Sequence, residues 1–154
     1  MQLPAVQTKF LNLPNSFSLR NGATLDKVCV AYEQYGTLTP EKDNAILLFH
    51  ALSGSQHAYG YNPEVPGTGS LWKPENHEGW WNSIIGPGKP LDTDRFCIIC
   101  ANYLGGCYGT TGPATPCPAD GQPYGSRFPH VEIADQARLP ACLLYTSDAA
   151  DDLT

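Results

Sequence analysis

No cluster of lysine and arginine occurs anywhere in the sequence. Nine basic residues stand against fifteen acidic ones, for a formal net charge of −6. That balance offers no electrostatic footprint for nucleic acid and argues against that class of partner. Long apolar runs are also missing. The longest, Ala45 to Phe49, is far too short to span a bilayer, so no membrane role is expected. The opening residues, Met1-Gln2-Leu3-Pro4-Ala5, have neither a basic segment nor an apolar stretch of the kind a secretory signal needs. The expected compartment is therefore the cytoplasm. There the six cysteines (Cys29, Cys97, Cys100, Cys107, Cys117 and Cys142) are expected as thiols, because a reducing compartment does not sustain structural disulfides.

Several signatures of specific chemistry are absent too. None of the serines sits in Gly-x-Ser-x-Gly, the strand-to-helix elbow that presents a serine nucleophile. No glycine cluster fits the dinucleotide fingerprint, and no Gly-Lys-Ser/Thr closes a phosphate loop. His50, His57, His77 and His130 include no pair at the spacing of a helical metal site. Cys97-Ile98-Ile99-Cys100 has the spacing of a zinc or redox half-site, but in a strand residues three apart point to opposite faces. Those two cysteines are expected in the core, and no metal is expected. Internal repeats and low-complexity tracts are missing as well.

What is present reads as one globular domain. Hydrophobic residues make up 42% of 154, with aromatics spread along the chain, so it is not a disordered composition. Gly (15) and Pro (14) are abundant, which predicts much loop and turn. Residues 8–13 and 16–19, the Asn21-Gly22 turn signal, and Val28 to Tyr32 suggest an antiparallel meander. Ala45-Ile46-Leu47-Leu48-Phe49 is continuously apolar, which predicts a strand covered on both faces within an α/β sheet. Asp94 to Asn102 reads as a second buried strand. Between them, residues 52–79 have no helical or strand period, a length of loop that is usually functional. Gly79 to Ile85 predicts one or two helical turns. Val131 to Leu139 predicts a helix that Pro140 breaks.

Two loops are candidate sites, because ligands of open α/β sheets bind at the carboxyl ends of strands. The first is His50-Ala51-Leu52-Ser53-Gly54-Ser55. A sharp turn there can aim backbone N–H groups at a developing oxyanion, with Gly54 permitting unusual backbone angles. An ordinary glycine-containing strand exit explains the same residues. The second is Leu104 to Pro113, with Gly105, Gly106 and Cys107, which would share one cleft with the first; a plain glycine-rich connection is the alternative. Trp80-Trp81 before Ile84-Ile85 is a ligand platform or, more often for such pairs, a core anchor.

Several of these segments occur together in one order: Val30 to Leu38, Asp43 to Ser55, Gly79-Trp80-Trp81, Ile85 to Arg95, Asn102 to Pro113 and Tyr124 to Pro129. Over roughly residues 8–139 they resemble the homoserine O-acetyltransferase family, which are acyltransferases of α/β-hydrolase fold. The resemblance implies the amino-terminal part of that fold, an antiparallel meander followed by parallel strands, ending before the nucleophile elbow. It implies a parent that moves an acetyl group from acetyl-CoA to the hydroxyl of L-homoserine, in methionine synthesis, through an acyl-serine. Acetyl-CoA is then a substrate, and no cofactor is implied. Leu52 matches one oxyanion donor through its main-chain amide. Ala51, Ser53, Gly54 and Ser55 border the acyl group, and Gly105, Gly106 and Cys107 lie on the substrate side. The nucleophile and its His–Asp pair fall outside this chain, so the chain alone is expected to be inactive. The parent is expected to be a homodimer. A same-fold O-succinyltransferase, a serine hydrolase and a non-catalytic scaffold remain alternatives. In that fold the main strands lie in the order first, second, fourth, third, fifth, which leaves Ala45–Phe49 an open edge until a fifth strand covers it.

From Cys142 onward the sequence resembles a translated sequencing adapter. The expected division is therefore a partial α/β-hydrolase domain at 1–141 and a non-native tail at 142–154.

Overall fold

A computed structural model describes residues 2–145. Its strands are β1 (Lys9–Asn12), β2 (Phe17–Ser18), β3 (Thr24–Leu25), β4 (Cys29–Tyr35), β5 (Ala45–Leu48), β6 (Ile85–Gly86), β7 (Leu91–Asp92) and β8 (Cys97–Ala101), followed by one helix, α1 (Ile133–Tyr145). The main sheet has the order β1-β4-β8-β5. β4 runs antiparallel to both β1 and β8, with Tyr32 opposite Lys9 on one side and Ala101 on the other. β5 runs parallel to β8, Ala45 opposite Cys97 and Leu48 opposite Cys100. This is the strand order that the resemblance implies.

β8 has both faces covered, and all five of its residues are buried. Its side chains alternate between two cores, as the pleat of a strand requires. Cys97, Ile99 and Ala101 meet Leu11, Val30, Tyr32, Leu139 and Leu143 on one face. Ile98 and Cys100 meet Tyr35, Ala58 and Ile85 on the other. Burying Ile98 and Ile99 each contributes on the order of 1.5–3 kcal/mol. The two cysteines thus face away from each other. Burial first, and then the nearby Glu33 carboxylate, push the Cys100 thiol far up, so it stays protonated.

Three expectations are corrected. The apolar run alone places β5 in the middle of the sheet, whereas the resemblance places it at an open edge, and it is at that edge that β5 lies. It has one partner, and all four of its residues are only half-buried, because its second side has no strand among the described residues. The Asn21-Gly22 turn does not join main strands in a meander. It closes a two-residue hairpin of β2 and β3, with Leu19 and Ala23 bonded at 2.8 Å, while β1 pairs directly with β4. Pro140 does not end the helix, since α1 runs through it to Tyr145. A proline inside a helix costs about 3 kcal/mol in lost hydrogen bonding and clash. Here Leu143, one turn beyond Leu139, is buried with it in the core, and Cys142 and Leu144 pack alongside. Burial of about 1.5–3 kcal/mol for one leucine, with two partly buried neighbours, offsets that cost.

The helix is fastened at its start. Asp135, fully buried, accepts from the amides of Glu132 and Arg20, each at 3.1 Å. Gln136 bonds both backbone groups of Leu104, at 2.9 and 2.7 Å, and so ties α1 to the loop after β8. No helix among the described residues is long and apolar enough to cross a membrane. Residues 146–154, most of the adapter-like tail, lie outside the described residues.

An open, apolar edge strand is a template for pairing with a second chain. The 154-residue chain is expected to self-associate as its concentration rises, which sedimentation velocity measures. A monomer across the whole micromolar range would count against an accessible β5 edge.

Candidate active site

Two residues past β5 the backbone turns sharply. The Gly54 amide donates to the Ala51 carbonyl at 2.8 Å and closes the turn. Glycine is favoured here by tight space rather than by backbone angles, because Gly54 does not lie in the left-handed region. A Cβ at this position would stand 3.1 Å from the Ala51 carbonyl oxygen and 3.2 Å from the His50 Cβ. The Leu52 side chain points outward and is 95% exposed. Its amide, like that of Ser53, donates to no group among the described residues. The turn therefore presents free N–H groups at a strand's carboxyl end, the arrangement that suits a developing oxyanion.

The residue before the turn is held firmly. His50 is buried, stacks on Tyr103 with ring centroids 3.9 Å apart, and sets its Nδ1 2.7 Å from the Ala51 carbonyl. The Tyr103 hydroxyl donates to the His50 carbonyl. The His50 Nε2 is buried with no partner among the described residues. Burial lowers the pKa of this imidazole, only partly opposed by the Ala51 carbonyl. His50 packs on Tyr103 and orients the backbone at the start of the turn.

A cavity of about 400 Å3 opens beside the turn. Ala51, Ser53, Gly54 and Ser55 line it together with Phe49, Trp80 and Trp81 and the polar His57, Glu75, Asn76 and Glu78. The tryptophans are thus not core anchors. Each is 37% exposed, their rings 5.1 Å apart, and the Trp80 indole N–H donates to the Ser55 carbonyl at 3.0 Å. The core anchor of that segment is Ile85, which follows a single turn closed by Trp81.

The second candidate loop does not share this cavity. Gly106 and Cys107 line a separate one of about 250 Å3 with Pro66, Leu71 and Thr115. Gly105 lines neither; its amide bonds the Thr111 carbonyl at 2.8 Å. The glycines of this loop allow close packing. At Gly109, with φ at 117°, a Cβ would meet the Ala31 Cβ at 2.9 Å. Tyr103, just before the second loop, contacts His50 at the start of the first, and the Gln56 side-chain amide, just after the first loop, donates to the Tyr108 carbonyl in the second at 3.1 Å.

Sequence reasoning missed a buried polar cluster beneath the first loop. Thr8, Glu33, Gln56, His57 and Asn62 are all buried, with Tyr35 among them. The Glu33 carboxylate accepts from Thr8 and Asn62 on one oxygen, at 2.9 and 3.0 Å. Its other oxygen faces the Tyr35 hydroxyl and the His57 Nδ1, each at 2.7 Å. Burial, and then the Glu33 charge, push the Tyr35 hydroxyl well up, so it keeps its proton. The usable signal was the length of β4. Read as ending at Tyr32, the strand leaves Glu33 outside it; in fact it continues to Tyr35 and carries Glu33 into the interior. Among the described residues no group of His, Cys, Asp or Glu is arranged to hold a metal ion.

No protein-family model matches the chain. Curated relatives do. It is 46% identical over 140 residues to a homoserine O-acetyltransferase of Deferribacter desulfuricans, covering 90% of this chain and 34% of that protein. It is 48% identical over 126 residues to a homoserine O-succinyltransferase of Magnetococcus marinus, covering 82% of this chain and 30% of that protein. Among solved structures, homoserine O-acetyltransferase from Bacillus anthracis superposes with a TM-score of 0.75 at 32% identity, over 94% of this chain and 37% of that one. Esterase E22 gives 0.75 at 37% identity, over 90% and 37%. The chain spans about a third of the length of the curated relatives it matches. It is a homologue of part of the homoserine O-acetyltransferases and shares their α/β-hydrolase fold.

His50 generates a pH prediction. A lowered folded-state value means that the unfolded chain binds the extra proton first, so stability falls as pH drops below the ordinary value of 6.5 toward the lower folded one. Denaturant titrations between pH 7.5 and 5 are expected to show that loss. His50→Gln is expected to flatten it, and an unchanged slope in that variant would refute the assignment.

Proposed function

We propose that the chain is the amino-terminal third of an acyltransferase that moves an acetyl group from acetyl-CoA to the hydroxyl of L-homoserine, in methionine biosynthesis. The observation that carries this reading is the turn after β5, where the Leu52 amide stands free at a strand's carboxyl end beside a cavity walled by Ala51, Ser53, Gly54 and Ser55. In an acyl transfer through an acyl-serine, negative charge gathers on the carbonyl oxygen of each tetrahedral intermediate. A fixed backbone donor stabilises it, and removal of one such donor typically costs about 100- to 1,000-fold in rate. The small side chains of Ser53 and Gly54 leave room for the acyl group. Gly105, Gly106 and Cys107 enter this reading through the backbone that carries Tyr103, and Tyr103 in turn holds His50.

The serine nucleophile and its His–Asp pair belong, in this reading, to sequence beyond this chain, so the 154-residue chain transfers nothing by itself. The residues from Cys142 onward are taken as non-native; an apolar residue one helical turn past Leu139 is buried whatever its origin. The longer protein is taken to be cytoplasmic and homodimeric.

A second reading has its own support. The Magnetococcus marinus relative is named an O-succinyltransferase, and one solved neighbour is an esterase. Neither small Ser53 nor Gly54 excludes a larger acyl group, and water in place of the amino acid hydroxyl would make the same site a hydrolase.

The test is the continuous gene beyond residue 141, expressed whole and assayed for release of coenzyme A. Release from acetyl-CoA that depends on L-homoserine is expected. Preference for succinyl-CoA, or ester hydrolysis with no acceptor, would move the protein to the second reading. A downstream sequence with no serine elbow would make it a non-catalytic scaffold.

A further inference from the structure

We propose that Glu33, Tyr35 and His57 are positioning residues: together they form a buried clamp that fixes the backbone of the Ala51–Ser55 turn. For its chemistry the proposal rests on the reading that this turn holds an oxyanion. The clamp itself is a matter of geometry.

Glu33 has no exposed surface. Taking a carboxylate out of water costs several kcal/mol even after relaxation, and apolar residues of similar volume usually serve stability as well or better. What the buried carboxylate supplies instead is direction. Its four partners come from three segments: Thr8 ahead of β1, Tyr35 on β4, and His57 and Asn62 on the loop that follows the turn. One side chain of the sheet thereby gathers the loop and the arm before β1.

Tyr35 extends the grip to the loop's backbone. Its hydroxyl accepts from the Ala58 amide at 2.8 Å and stands 3.0 Å from the Gln56 carbonyl. The His57 ring spans from Glu33 to the His77 carbonyl, its Nε2 at 2.9 Å from that oxygen. The His57 amide donates to the Ser55 hydroxyl at 3.2 Å. From the cavity side the Trp80 indole holds the Ser55 carbonyl. Backbone is thus bonded at every residue from Ser55 to Ala58, directly after the turn. On the other side His50 is fixed by Tyr103. Between these two posts only Ala51 to Gly54 span the surface. With so short a span, the direction of the Leu52 N–H is set by its ends. A misplacement of about 1 Å at such a donor can cost on the order of 100-fold in rate, which is why the ends matter.

Amide hydrogen exchange on the isotope-labelled 154-residue chain tests this. Tyr35→Phe removes the hydroxyl and keeps the ring. Expected is a rise of about tenfold or more in exchange at Gly54, His57 and Ala58, with Val30, Ile98, Ile99 and Cys100 unchanged within about twofold, the signature of local opening. Glu33→Gln is expected to give the same pattern; should that variant fail to fold, Tyr35→Phe decides. Equal acceleration in loop and sheet would mean a merely structural role and overturn the proposal. So would no change at Gly54, or a parent chain whose residues 54–58 exchange like a free peptide. None of these readings needs activity. A fixed turn in a full-length protein that transfers no acyl group sinks the acyltransferase reading and leaves the clamp, whereas a loose turn in an active acyltransferase sinks the clamp alone.

Discussion

The burial of β8 on both faces governs the rest of the structure. A strand whose side chains are apolar in both directions has to be covered twice, and its two hydrogen-bonding sides have to be paired. β4 and β5 supply the pairing. The face of Cys97, Ile99 and Ala101 is closed by β1, the β2–β3 hairpin and α1. The face of Ile98 and Cys100 is closed by Ala58, from a loop, and Ile85, from the short strand β6 at the end of a turn. The two covers differ in kind, and that difference places the site. Where a helix covers the sheet the surface is sealed. Where loops cover it their backbones need partners, and buried polar side chains such as Glu33 and Tyr35 provide them.

The sheet was largely legible in the residues. Apolar runs at Ala45–Phe49 and Phe96–Ala101 announced β5 and β8, and the opposite orientation of Cys97 and Cys100 followed from the period of a strand. What stayed hidden depended on partners far away in the chain. The apolar run alone does not say that β5 lies at an edge, because it looks the same with one neighbour or two; the strand order that the resemblance implies does. Pro140 reads as a helix break until Leu143 is known to reach the core. Trp80 and Trp81 read as anchors until Ile85 is seen to take that place and leave them on the cavity wall. The turn at Ala51–Gly54 was visible because its cause is local, a glycine beside a strand end. The Glu33 cluster was not, since its members are separated by up to 54 residues and meet only in the folded chain.

The chemistry of the site and the stability of the sheet converge on one side of the molecule. Among the described residues β5 has an unpaired edge, and Phe49, Leu52, Trp80 and Trp81, all exposed, lie at or next to the turn that leaves its carboxyl end. A clustered apolar surface of this kind marks a place where something else binds. In the proposed reading a single body, the remainder of a longer acyltransferase, covers both. It would pair with β5 and close the cavity in one step. Covering the turn beside it would remove water from the Leu52 amide, and a donor counts for more once solvent is excluded, because the effective dielectric falls. Completion of the sheet and completion of the site are then the same event. The clamp of Glu33, Tyr35 and His57 lies beneath the turn, inside the part already built, so the donor side of the site is ordered before the reacting side arrives.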